Sequence, residues 1–114
     1  MATYLTNALS LNQYNSVIDS GQRFLLNVEP ISQEMAAEFL TVYDPNFVSA
    51  IGHSETAVIV SSLLGIEVTA NRIKIDLQPQ DTMIVAQYLG PRLPEGCTEL
   101  PEGSGIKFLR VQIL

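Results

Sequence analysis

The residues best suited to chemistry lie in the run Ile51 to Thr56 (Ile-Gly-His-Ser-Glu-Thr), where an apolar helix is predicted to begin. His53 is the only histidine, and histidine is the side chain that most readily gives or takes a proton near neutral pH. A helix start presents free backbone N–H groups and a positive dipole end, both of which attract phosphate. A proton donor beside an anion site is suited to phosphoryl transfer.

Other reactive residues are few. The arginines able to hold a phosphate are Arg23, Arg72, Arg92 and Arg110. Cys97 is the only cysteine, so neither an internal disulfide nor a multi-cysteine zinc site is expected. One histidine and one cysteine are too few for a typical transition-metal site, and there is neither a Walker loop nor a Gly-x-Gly-x-x-Gly motif, so no metal and no cofactor are predicted. His53 is the only histidine that could activate Cys97, and nothing in the sequence places the two together.

Composition predicts one domain over residues 1–114. The chain is 46% hydrophobic and 16% charged, which is enough apolar surface for a core and too little charge for disorder. The net charge of −6 argues against a partner of long DNA or RNA, because such binders carry a basic face. No signal peptide and no membrane-spanning segment are evident, so a cytoplasmic protein is expected.

Hydrophobic periodicity predicts the elements that position these residues. Strands are expected at 3–9, at 23–28 with Pro30 ending the strand, at 72–78, at 82–89 and at 107–114. Helices are expected at 32–42, capped by Ser32, and at 54–64, ended by Gly65. A short helical piece is expected at 46–50, and a Pro- and Gly-rich loop at 90–105.

Several short motifs occur in an order that resembles a known family. They lie at 4–12, 50–56, 64–65, 71–73, 87 and 92–96. The chain resembles the viral ring nucleases, a type III anti-CRISPR family of small proteins from archaeal viruses, phages and mobile elements. The resemblance spans nearly the whole chain, although each motif is short.

The resemblance implies both a fold and a reaction. The expected fold is α/β (α+β), a single domain with a mixed, mostly antiparallel sheet of about five strands flanked by helices. The family's proteins are homodimers that bind cyclic tetra-adenylate, the second messenger of type III CRISPR complexes. They cut it without metal to linear di-adenylate ending in a 2′,3′-cyclic phosphate. The implied function is therefore to antagonise type III CRISPR signalling in the host cytoplasm.

Carried over by position, the resemblance assigns roles to ten residues. His53 matches the catalytic histidine, and Glu95 matches an acidic residue important for activity. The positions that match or adjoin ligand contacts are Asn7, Ser10, Asn12, Ser54, Thr56, Arg72, Gln87 and Arg92. One departure is that the 87–92 segment is one residue longer than the family pattern, because of Gly90-Pro91.

Two other functions are compatible with the same residues. One is a non-catalytic binder that sequesters or senses a cyclic nucleotide and needs no histidine. The other is an interaction protein of a mobile element, in which His53 merely caps a helix and Arg72 is a solvated surface residue. A ligand-dependent rise in melting temperature would separate a binder from the latter.

Overall fold

Five strands form one mixed sheet in the computed structural model, which describes residues 1–114. The strands are β1 (Thr3–Thr6), β2 (Leu26–Ile31), β3 (Val48–Ser49), β4 (Thr82–Leu89) and β5 (Gly105–Ile113). Their order across the sheet is β2-β5-β4-β1-β3. The two long pairings, β2 with β5 and β4 with β5, are antiparallel, whereas β1 pairs in parallel with β4 and β3. The predicted single-domain α+β fold with a five-stranded mixed sheet is confirmed.

Three α-helices accompany the sheet: α1 (Asn15–Asp19), α2 (Gln33–Glu38) and α3 (Ser54–Leu64). A 3₁₀ turn (Leu11–Tyr14) leads into α1, and α2 continues as a π-helical turn (Phe39–Tyr43). The Ser32 hydroxyl accepts the backbone N–H of Met35 at 3.0 Å, so the predicted cap of α2 is confirmed. Gly65 ends α3 with φ at +67°, the left-handed conformation that glycine adopts without a steric cost.

The core lies on both faces of the sheet, and β4 separates its two halves. Ile84 and Ala86 pack into one half, with residues of α2 and α3, whereas Met83 and Val85 pack into the other, with Tyr14. These four side chains of β4 are each at most 1% exposed. A strand buried on both faces reads as a continuous apolar run, which is the pattern of 82–89.

One predicted strand is wrong, and another strand takes its place. Residues 72–78 form no strand, although Ile75 and Leu77 are buried as their alternation predicted. The backbone N–H of Leu77 donates to the carbonyl oxygen of Gln13 at 2.7 Å, so this segment is anchored to the 3₁₀ turn rather than to a strand. The helical piece expected at 46–50 is instead β3, which pairs with β1.

The other corrections concern boundaries. Pro30 does not end β2, which runs to Ile31. β2 is an edge strand, where proline is tolerated because its missing N–H can face away from the ladder. No helix is long and apolar enough to cross a membrane; the longest, α3, has 11 residues.

Candidate functional site

His53 stands at the start of α3 on a firmly packed base. Its backbone is extended (φ −118°, ψ 129°), and its carbonyl oxygen accepts the N–H of Ala57 at 3.0 Å. Ile51, two residues earlier, is completely buried. The imidazole is exposed and makes no hydrogen bond with the protein. The backbone is therefore held by helix and core, while the side chain is free to meet a ligand.

A loop faces this helix start. Residues 90–104 connect the end of β4 to the start of β5. The last residue of β4, Leu89, pairs with the first residue of β5, Gly105. The first part of this loop carries Arg92, Glu95 and Cys97. We call residues 90–97 the loop wall, and His53, Glu55 and Thr56 the helix wall.

A cleft of about 480 Å³ lies between the two walls. Asn7, which follows β1, and Tyr88, near the end of β4, complete its lining. These residues come from three separate stretches of the chain, around residue 7, at 53–56 and at 88–97. Of the ten residues implied by the family resemblance, five meet here: Asn7, His53, Thr56, Arg92 and Glu95.

The cleft has a mixed charge. Arg92 and Glu95 stand on the loop wall, and Glu55 stands beside His53 in the first turn of α3. The cleft therefore offers a guanidinium for a phosphate, two carboxylates able to accept a proton or a hydrogen bond from a hydroxyl group, and an imidazole. This set can perform acid–base chemistry on a phosphodiester.

Arg72 lies directly behind the helix wall. A Cβ built on Gly52 would come within 3.5 Å of both Cγ and Nε of Arg72, so the arginine side chain packs over the glycine next to His53. Arg72 is exposed. A second cation therefore stands beside the start of α3, outside the cleft itself.

Asn12 lies in a second groove rather than in the cleft. This groove, about 280 Å³, also holds Lys74 and is lined by Thr6 and Ala50. Thr6 precedes Asn7, which lines the cleft, and Ala50 precedes the helix wall by three residues. The groove is thus a neighbour of the cleft, and Lys74 is a cation that sequence reasoning missed.

Besides Arg72 and Asn12, the other three predicted ligand contacts also lie outside the cleft. The Ser10 N–H donates to Gln13 Oε1 at 2.9 Å, which serves the turn before α1. The Ser54 hydroxyl donates to Glu55 Oε2 at 3.3 Å, and Gln87 Nε2 donates to the carbonyl oxygen of Tyr88 at 3.2 Å. In this structure, the Ser10 N–H, the Ser54 hydroxyl and the Gln87 amide make local contacts.

The cleft also contains residues that sequence reasoning did not single out. Tyr88 and Glu55 line it, and Cys97 joins His53 on its surface, which nothing in the sequence indicated. The Cys97 thiol donates to the carbonyl oxygen of Glu99 at 2.9 Å. Tyr88 could have been found, because it is the last aromatic residue before the Pro- and Gly-rich loop. No group of three or more His, Cys, Asp or Glu side chains is placed to hold a metal ion.

Comparison with known proteins places the chain among viral proteins. Residues 3–105 match the STIV B116-like family. The chain belongs to this family. A protein of Acidianus two-tailed virus, ORF117, is 39% identical over 75 residues, which cover 66% of this chain and 63% of the relative. The match therefore spans less than two thirds of that relative's length.

A second relative and a solved structure are also viral proteins. Protein 26 of Sulfolobus islandicus filamentous virus is 30% identical over 86 residues, covering 75% of this chain and 70% of the relative. The structure of B116 from Sulfolobus turreted icosahedral virus aligns with a TM-score of 0.76 at 24% identity, covering 98% of this chain and 99% of that one. The likeness to B116 shows a shared fold. The relatives also support the expected link to viruses.

Proposed function

We propose that this member of the STIV B116-like family is a metal-independent ring nuclease. Its substrate is cyclic tetra-adenylate, and its product is linear di-adenylate with a 2′,3′-cyclic phosphate, so it antagonises type III CRISPR signalling. One observation carries the proposal: His53, at a helix start, lines one cleft together with Arg92 and Glu95, which come from a loop distant in sequence. An imidazole, a guanidinium and a carboxylate around one phosphate site are suited to phosphodiester cleavage.

The reaction uses a nucleophile that the substrate brings. The 2′-oxygen of one ribose attacks the adjacent phosphorus, the bond to the 5′-oxygen breaks, and the 2′,3′-cyclic phosphate forms. Glu95 takes the 2′-hydroxyl proton, and protonated His53 gives a proton to the leaving 5′-oxygen. Arg92 offsets the charge that develops on the phosphate, and the N–H groups at the start of α3 add to this.

The size of the cleft favours a dimeric site. About 480 Å³ suits a ligand of drug size, whereas the ring has four nucleotides. Two copies related by a two-fold axis would present two clefts to a symmetric ring, with Arg72 and Arg92 from each chain near its four phosphates. These four guanidiniums matter because each chain has a net charge of −6. Two His53 residues would then cut opposite bonds and release equal halves.

The decisive test separates binding from cleavage. Labelled cyclic tetra-adenylate is incubated with the wild type and with His53→Ala, each with and without EDTA, and the products are resolved over time. We expect EDTA-resistant cleavage by the wild type and a loss of about 10²–10⁴-fold in His53→Ala with binding retained. Undiminished cleavage by His53→Ala would show that His53 is not the general acid. A wild type that binds the ring and leaves it intact would identify a sequestering protein instead.

The chain supplies a matched control for Glu95. The sequence Leu-Pro-Glu-Gly occurs twice, at 93–96 and at 100–103. Glu95 lines the cleft, whereas Glu102 is exposed and does not. We expect Glu95→Gln to slow cleavage at least tenfold and Glu102→Gln to leave the rate unchanged. Equal rates in the two variants would exclude Glu95 from the reaction.

Arg72 is tested by affinity. Removing a cation that contacts phosphate is expected to weaken binding about tenfold or more, since charge-assisted hydrogen bonds contribute about 1.5–3 kcal/mol each. Arg23→Ala is the matched control, because Arg23 is an exposed arginine in a different groove, beside Phe24. Equal ring affinity for Arg72→Ala and Arg23→Ala would rule out the proposed phosphate contact.

A further inference from the structure

We propose that the hydroxyl of Tyr88 is a latch that positions the loop wall, and with it Arg92 and Glu95, opposite His53. Tyr88 is the penultimate residue of β4, and the loop wall begins two residues later. Its hydroxyl donates to the carbonyl oxygen of Pro91 at 2.5 Å. Pro91 immediately precedes Arg92, so this hydrogen bond holds the backbone next to the guanidinium.

The close packing around Gly90 makes the latch possible. Gly90 has φ at +153°, and a Cβ built on it would lie 2.6 Å from Ser104 Cβ and 2.9 Å from the Tyr88 hydroxyl. The two ends of the 90–104 loop, Gly90 and Ser104, are therefore packed directly against each other. Only a residue without a side chain lets Ser104 and the tyrosine hydroxyl approach the backbone so closely.

No other side-chain hydrogen bond ties the loop wall to the rest of the protein. The Cys97 thiol binds the carbonyl oxygen of Glu99, within the loop, and Arg92 and Glu95 form no ion pair. Residues 90–97 are mostly exposed and contain no helix or strand. Such segments open locally at little cost in free energy. The Tyr88–Pro91 bond is therefore the contact whose loss should free the loop wall.

The positioning role rests on the proposed function, but the latch itself can be measured without it. Cys97 is the only cysteine, is partly buried and lies on the loop wall, so its rate of reaction with a thiol reagent reports on the order of that segment alone. Tyr88→Phe keeps the ring and removes the hydroxyl. Tyr43→Phe makes the same chemical change at an exposed tyrosine outside the cleft.

The experiment measures thiol labelling and ring cleavage in the wild type, Tyr88→Phe and Tyr43→Phe, after thermal melting has shown that all three are folded. We expect Tyr88→Phe to label several-fold faster and Tyr43→Phe to label at the wild-type rate. Labelling of Tyr88→Phe no faster than the wild type would overturn the latch, whether or not the wild type cleaves the ring. Cleavage by the wild type tests the proposed function separately.

If the wild type cleaves the ring, the kinetic constants test positioning. Displaced catalytic groups lower kcat, since a misplacement of about 1 Å can cost up to about 10²-fold. We expect kcat of Tyr88→Phe to fall about 10-fold or more, with a smaller change in KM and a melting temperature within a few degrees of the wild type. A kcat equal to that of Tyr43→Phe would refute the positioning role.

Discussion

The two walls of the cleft are built in opposite ways. The helix wall begins a regular helix, and the residues just before and after its start, Ile51 and Ala57, are at most 2% exposed. The loop wall has no regular structure, is mostly exposed, and is tied to the sheet through Tyr88 and Pro91. One side of the site therefore has the stability of the core, and the other has the stability of a few local contacts.

This difference matches what each wall has to do in the proposed reaction. A general acid works only within hydrogen-bond reach of the leaving atom, so His53 benefits from a rigid base. Arg92 and Glu95 must admit a large ring before they contact it, and a loop can move to allow entry. Sites carried on a rigid element and completed by a mobile loop are common among enzymes that enclose their substrates.

The largest effect is expected at Ile51, in the buried base beneath the helix wall. Ile51 is completely buried in the core half formed with α2 and α3. Ile51→Ala removes three buried carbon atoms and is expected to lower the free energy of unfolding by about 2–5 kcal/mol. Leu93→Ala, on the loop wall, is the matched comparison, because Leu93 is only partly buried and belongs to neither core half. We expect its cost to stay below about 1 kcal/mol.

Chemical denaturation of both variants measures this difference directly. The comparison of the two walls predicts a large gap between the midpoints of Ile51→Ala and Leu93→Ala, with unchanged denaturant slopes. Similar losses in the two variants would mean that the loop wall is as much a part of the core as the helix wall.

A smaller effect is expected at the base of the loop wall. A Cβ on Gly90 would lie 2.6 Å from Ser104 Cβ and 3.2 Å from its Cα, so Gly90→Ala forces the backbone apart. Gly96→Ala is the control, because Gly96 also has a positive φ (+78°) and nothing lies within 4 Å of its Cβ position. Both variants strain the backbone, and overpacking adds about 1–3 kcal/mol at Gly90 alone. Equal melting temperatures would show that the ends of the loop separate freely.

The sequence predicted the rigid parts of the molecule well and the irregular parts poorly. The helix over 54–64 and the strand over 82–89 match the structure to the residue, since both have strong apolar patterns and clear ends. The alternation over 72–78 correctly indicated that Ile75 and Leu77 are buried. It also predicted a strand there, whereas the segment pairs with no strand. A two-residue period shows which side chains face inward, and it does not show whether a neighbouring strand is present.

The residues of the candidate site also differ in how well the sequence indicated them. His53 was found from the sequence because helix starts have recognisable signals. Arg92 and Glu95 were assigned by resemblance, and the structure brings both to the cleft. Tyr88 and Lys74 were missed, because a loop's path and the groove beside it depend on contacts such as Tyr88 with Pro91, which no periodicity encodes. Ser10 and Gln87, also assigned by resemblance, lie outside the cleft, where the Ser10 backbone N–H and the Gln87 side-chain amide make local hydrogen bonds.

The smallest effect concerns an irregular segment that is held firmly, unlike the loop wall. Asp76 lies in the segment that carries Arg72, and its carboxylate accepts the hydroxyl and, at 3.0 Å, the backbone N–H of Ser16. The hydroxyl and N–H of Ser16, helped by Lys74, hold the pKa of Asp76 below its ordinary value of about 3.9. The ionised form is thus favoured in the folded state, so Asp76 contributes stability above pH 4 that is lost as pH falls through the lowered pKa.

We therefore expect Asp76→Asn to be less stable than the wild type at pH 7, with a difference that shrinks as the pH falls below about 4, toward the lowered pKa. Urea midpoints of both proteins across this range measure it, and Ser16→Ala serves as the partner variant because it removes the hydroxyl side of the same contact. The double variant should cost little more than either single change, since the two share one interaction. A difference that persists undiminished at pH 3 would mean that the carboxylate's charge does not anchor this segment, and that it is as loosely held as the loop wall.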